Sequence, residues 1–189
     1  MKIILGSQSN GRKRILAEMG FEFECMPADI DEKSIRDDNA EDLTLKLANA
    51  KADAILPRMK EKAILITSDQ VVRWNNEIRE KPENEGEARE FLKTLADYPV
   101  ETVTAVVVVN TKTGERRSGV DIAKVYFKEI SDKDVDKLIA EGKIFSWASA
   151  FCIDDPIIKK YVEKIEGERE SIIGLPKKMS LELMAEIRN

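Results

Sequence analysis

Residues 100–110 read VETVTAVVVVN, and this stretch limits the fold more than any other. It is dominated by β-branched residues, which suit a pleated strand better than a helix. The turn TKTGE follows, and GVDIAKVYFKEI then alternates apolar and polar side chains, so the two runs form a long hairpin. A sheet built on such a hairpin must be covered by other elements.

The rest of the chain supplies the cover. Residues 3–5 read as a buried strand, and Ser9 or Asn10 caps a helix that carries Ile15, Leu16 and Met19 and stops at Gly20. Phe21, Phe23 and Cys25 alternate as a strand, and PADIDEK is a polar turn. A helix over 41–56 presents Leu43, Leu47, Ala50 and Ala54, with Lys51 close to that face. AILITSDQVVRW is a strand, NNE turns it into a short return strand ending at EKP, and Asn84 with Glu87 opens a helix as a capping box. Ser131 with Asp134 opens another, ended by Gly142. KKYVEKI, EGERE and SIIGLP suggest a second hairpin, and a last helix turns Leu181, Met184 and Ile187 inward. Helices alternating with strands, then long hairpins, predict an α/β fold: a mixed twisted sheet with flanking helices and a central cleft between two lobes.

Composition narrows the chemistry. The chain has 189 residues and a formal net charge of -5, which argues against a broad nucleic-acid surface but permits a small anion site. No apolar run reaches the roughly 18 residues of a membrane span, and the N-terminal MKIIL reads as no signal peptide. Cys25 and Cys152 form no CxxC pair and are expected as buried thiols in a reducing cytoplasm. There is no histidine, so acid–base work falls to carboxylates and lysines, and any metal is a hard one such as Mg²⁺ or Mn²⁺ held by oxygen.

Two stretches carry that chemistry. In ILGSQSNGRKRIL a strand runs into a helix start through Ser7 and Ser9, with Arg12 in the first turn. Unpaired N–H groups, hydroxyls and a guanidinium fork suit phosphate oxygens, and basic residues at a helix start oppose the dipole unless an anion is bound. In AILITSDQVV, Asp69 interrupts an apolar strand, where an unpaired carboxylate is costly. Asp31 and Glu32 supply further carboxylates, and Lys51 and Lys81 supply cations. Such a set suits phosphoanhydride cleavage, with cations holding polyphosphate and a carboxylate directing water.

Taken in order, SQSNGR, DIDE, LANAKA, SDQVV, EKP and EGERESIIGLP resemble the Maf family of nucleoside triphosphate pyrophosphatases, in the ITPase-like superfamily. The resemblance runs over nearly the whole chain and implies one Maf-like domain over 1–189. It implies hydrolysis between the α and β phosphates of a nucleoside triphosphate, with a divalent metal and a possible homodimer. It places Ser7, Ser9, Arg12 and Gln70 at the substrate, Asp31 and Asp69 at metal and water, and Lys51 and Lys81 at the transition-state charge, with Asp69 the general base. SDQV and ASAFCID are similar to the 7-methylguanosine triphosphate branch rather than the dTTP/UTP branch. Asp154 would then accept hydrogen bonds from guanine N1–H and its amino group, with Trp147 or Phe151 offering a ring to the base. Asn10, Gly11, Trp147, Ser149 and Cys152 depart from the family pattern.

Overall fold

The computed structural model describes residues 1–187. Its core is a mixed seven-stranded sheet. The strands are β1 (Lys2–Leu5), β2 (Glu24–Cys25), β3 (Ala63–Trp74), β4 (Glu77–Arg79), β5 (Val100–Asn110), β6 (Arg116–Phe127) and β7 (Val162–Glu166). They lie in the order β2-β1-β3-β5-β6-β7, with β4 paired to β3. β1 is parallel to β2 and to β3, while β3/β4 and β6/β7 are antiparallel. The helices are α1 (Asn10–Glu18), α2 (Ala40–Ile55), α3 (Glu85–Thr94), α4 (Asp132–Glu141), α5 (Arg169–Ile173) and α6 (Lys177–Glu186). None of those described is long and apolar enough to cross a membrane.

The chain divides into two compact units. The first comprises residues 1–70, 103–122 and 168–189. Its sheet is buried on both faces, which is why its strands read as continuous apolar runs. Ile3, Leu5, Ile64, Ile66, Val106 and Val108 pack with Ile15 and Leu16 of α1 and Leu183 and Met184 of α6. Ile4, Leu65, Ala105, Val107 and Val109 point the other way, toward Ala48, Ala52 and Ile55 of α2. The period-2 alternation of each strand thus feeds two separate cores.

The second unit comprises residues 71–102 and 123–167. Here α3 packs on α4, with Ala88, Leu92, Val135 and Leu138 buried. Asn75 and Asn76, both at positive φ (46° and 64°), make the two-residue turn between β3 and β4, a conformation asparagine tolerates well. Asn84 Oδ1 caps α3 by accepting from Glu87 N, as expected, while the Glu87 carboxylate accepts from Glu83 N, one residue before the N-cap, so the expected capping box is replaced by this longer-reaching variant.

Four expectations need correction. The second hairpin does not form: β7 pairs with β6, and the residues after it turn into α5, which buries Ile172 and ends at Gly174 with φ 114°. Docking into the core outweighs the β-propensity of the Ile172–Ile173 pair. At the C-terminal helix Met184 and Ile187 are buried as expected, but Leu181 is 40% exposed and Leu183 takes the core position instead. The strand over 21–25 shortens to Glu24–Cys25. Both cysteines are free, but Cys25 is exposed and Cys152 only partly covered.

Candidate active site

The first unit gathers its polar groups where β1 ends. Gly6 N donates to Ile66 O at 2.7 Å, which draws the chain hard against β3. A Cβ on Gly6 would lie 2.5 Å from Thr67 Cγ2 and 2.7 Å from Ile55 Cδ1, so only glycine fits. Ser7 follows, buried, and α1 starts at Asn10 with Ser9 as its N-cap. Ser9 Oγ accepts from Arg12 N at 3.4 Å, and Ser7 Oγ accepts from Ser9 N at 3.2 Å and from Arg12 Nη1 at 3.4 Å. Burial lowers the pKa of the Arg12 guanidinium, against the pull of Asp69 and Glu32, but an arginine remains charged at neutral pH. The first turn of α1, two hydroxyls and one guanidinium are therefore gathered at the carboxyl end of β1, a parallel strand.

Alternation along β3 decides which side chains face each other. Thr67 Oγ1 donates to Ala48 O of α2 at 2.8 Å. Two residues on, Asp69 projects from the same face, and three residues on from Ala48, Lys51 projects from α2 to meet it. Lys51 Nζ lies 2.5 Å from Asp69 Oδ1 and 2.8 Å from Glu32 Oε1. The Lys51 and Asp69 side chains are only 10% and 9% exposed, so this is a cation buried between carboxylates and not a snorkelling surface lysine. Burial raises the Asp69 pKa above the usual carboxylate range, while Lys51 and then Arg12 oppose the rise.

These groups line a cavity of 420 Å³ with Gly6, Ser7, Gln8, Arg12, Pro27, Ala28, Glu32, Lys51 and Asp69 on its walls. Of the residues expected at the site, Ser7, Arg12, Lys51 and Asp69 come together there, with Ser9 behind them as a cap. Asp31 does not line it. It is exposed, and its Oδ1 caps its own 3-10 turn by accepting from Lys33 N at 3.1 Å. Its neighbour Glu32 is the carboxylate that reaches Lys51. Sequence reasoning noted Glu32 only as an accessory acid. No periodicity in a turn says which of two adjacent acids points inward. Gln70 sits on the opposite face of β3 from Asp69. Its Nε2 donates to Thr104 Oγ1 and to Ser171 O, both at 2.7 Å.

Lys81 and Asp154 belong to the second unit. Lys81 is exposed in the irregular segment after β4, just before the buried Pro82. Asp154 is exposed in a turn, and the capping there falls to its neighbour: Asp155 Oδ1 accepts from Ile157 N at 2.9 Å and Ile158 N at 3.2 Å. Phe151 is no open ring, since it packs edge-on to Phe127 at 5.6 Å and is 7% exposed.

The donor set suits a hard divalent cation. Asp69 and Glu32 offer carboxylate oxygens on one side of the cavity, and Mg²⁺ commonly takes one or two carboxylates with water and substrate phosphates completing its shell. Among the described residues no group of three or more His, Cys, Asp or Glu side chains comes together, so at this cavity the two carboxylates would share a cation with water and phosphate oxygens.

A family model described as "Maf-like protein" matches residues 2–187. The chain belongs to the Maf family. Over 98% of its length it is 44% identical to a protein of Dictyostelium discoideum named 7-methyl-GTP pyrophosphatase, covering 96% of that protein. It is 33% identical to a dTTP/UTP pyrophosphatase of Alkaliphilus metalliredigens, over 93% of this chain and 90% of that one. It is 30% identical to a nucleoside triphosphate pyrophosphatase of Synechococcus, over 98% and 93%. Membership was legible in six short motifs. Four of them supply residues to the cavity walls: SQSNGR, DIDE, LANAKA and SDQVV.

Proposed function

We propose that the chain hydrolyses a nucleoside triphosphate between its α and β phosphates, releasing a monophosphate and pyrophosphate. The observation that supports this most is Lys51 held between Asp69 and Glu32 in a cavity whose other wall is Arg12, Ser7 and a helix start. The helix start, Ser7 and the Arg12 fork bind phosphate oxygens. A divalent metal, Mg²⁺ or Mn²⁺, held by Asp69 and Glu32, would neutralise polyphosphate charge and polarise the bond to be cut. Asp69 takes the proton of the attacking water. Its Oδ1 is committed to Lys51, which leaves the second oxygen for the proton, and its raised pKa makes it a stronger base than an ordinary aspartate. Lys51, whose side chain is only 10% exposed, faces the charge that grows on the phosphate oxygens during attack.

The substrate we favour is a 7-methylguanosine-type triphosphate. The 44% identity to the Dictyostelium protein of that name supports it. The parts of Lys81 and Asp154 rest on the sequence resemblance. A dTTP or UTP preference is the second reading, favoured by the relatives with those names. We take residues 1–189 as a single catalytic domain, a possible homodimer, acting in the cytoplasm, where free thiols and nucleotides coexist. Turnover across a panel of nucleotides with Mg²⁺ or Mn²⁺ tests the preference. 7-methylguanosine triphosphate should be cleaved fastest, and Asp154→Gln should narrow its lead over dTTP. A wild-type preference for dTTP or UTP would transfer the substrate assignment to the second reading.

A further inference from the structure

Arg12 is held from behind by the C-terminal segment of the chain. Its Nε donates to Gly174 O at 2.9 Å, which leaves the two Nη groups to face Ser7 and the cavity. Gly174 is the left-handed residue that ends α5, and a Cβ there would stand 3.4 Å from Arg12 Nε. Its N–H bonds back to Glu170 O and Ser171 O, and Leu175 N also bonds to Glu170 O, so the carbonyl direction is fixed by a closed helix-end turn.

That turn is pinned in turn by β3 and β5. Ser68 Oγ donates to Gly174 O at 3.0 Å. Ser171 O accepts from Gln70 Nε2 at 2.7 Å and from Thr104 Oγ1 at 3.2 Å, and Ser171 Oγ donates to Asp121 Oδ2. Gly11 makes room for the docking, since a Cβ on it would come within 2.6 Å of Ile173 Cγ2. Both amide protons of Gln70 are used inside this network, and a primary amide has only two.

We propose that the 171–174 turn is the positioning element for Arg12, through the Gly174 carbonyl, and that Gln70 holds this turn in place of the direct substrate contact expected from the sequence. The inference deepens the assignment of Arg12 to phosphate and rests on it. Gln70→Met keeps length and removes both donors. Thr104→Val is the companion variant, should the first fold poorly. Each variant breaks two of the bonds that hold the turn, and each should bind tripolyphosphate about tenfold more weakly by calorimetry. Tripolyphosphate has no base, so the loss cannot come from a base contact. In an Arg12→Ala background Gln70→Met should add nothing, because the two act as one unit. The relative turnover of purine and pyrimidine nucleotides should stay as in the wild type. Hydrogen exchange at Arg12 Nε–H, read by NMR, should be protected in the wild type and faster in Gln70→Met. An effect that persists without Arg12, altered base selectivity, or unchanged Nε–H protection would overturn the proposal. Failure of the wild type to bind tripolyphosphate would instead remove the phosphate role of Arg12, while the exchange measurement would still report whether the turn holds it.

Discussion

Asp69 is costly where it stands. Burial drives its pKa up, and only Lys51 and Arg12 hold it ionised. A base must be deprotonated to act, so turnover should fall as pH drops through a pKa above the ordinary aspartate value of about 3.9. The same shift acts on folding. The folded state binds this proton more tightly than the unfolded chain, so the ionised group destabilises the fold in full above its raised pKa, and that cost fades as pH falls through it and is gone only below the unfolded-chain value. Glu32 adds to the rise, so Glu32→Gln should shift the acid limb of the pH–rate profile downward. A wild-type limb at the ordinary aspartate position would mean another group limits the rate. Asp69→Asn should slow turnover by ~10²–10⁴ while a thermal melt still shows a cooperative transition. Near-normal turnover in that folded variant would take Asp69 out of the chemistry. For Arg12→Ala, losing charge-assisted bonds should weaken triphosphate binding by about 1.5–3 kcal/mol. An unchanged Michaelis constant would leave the start of α1 a solvated helix end.

Elements place these residues through tight approaches that a pattern of apolar positions does not encode. Gly6 is the sharpest case. A methyl group there would strike Thr67 and Ile55, and overpacking of this kind costs about 1–3 kcal/mol. Gly6→Ala should lower the urea midpoint accordingly. An unchanged midpoint would mean the strand ends move apart at no cost. Long elements were legible: β3 and β5 from their apolar β-branched runs, and α1, α3 and α4 from the caps Ser9, Asn84 and Ser131. Short ones were not. α5 is a single helical turn whose isoleucines favour a strand locally, and only docking of Ile172 and Leu175 into the core overrides that preference. Within the site, Asp69 and Lys51 stood out because charge interrupts an apolar pattern at each. Glu32 and Asp31 lie in a turn with no pattern to interrupt, and their roles separated only in three dimensions.

At the scale of the whole molecule, both units are assembled from segments far apart in sequence, and β3, β5 and β6 each run from one unit into the other. Two lobes were expected from the sequence, but hydrophobic periodicity reports which face of an element is buried, not which distant segment buries it, so the segments that make up each unit were not readable from the chain. The net charge of -5 is likewise a property of the whole that conceals a local one. In the cavity Arg12 and Lys51 stand with Asp69 and Glu32, two charges of each sign, so the proposed phosphate site is governed by that local arrangement and not by the charge of the whole chain. The bond that is cut tests the account most directly. ³¹P NMR of 7-methylguanosine triphosphate incubated with the wild type and Mg²⁺ should show nucleoside monophosphate and pyrophosphate growing in equal amounts, without orthophosphate, and Asp69→Asn should leave the triphosphate signals in place. Orthophosphate with a nucleoside diphosphate as first products, or undiminished pyrophosphate release by the variant, would contradict it.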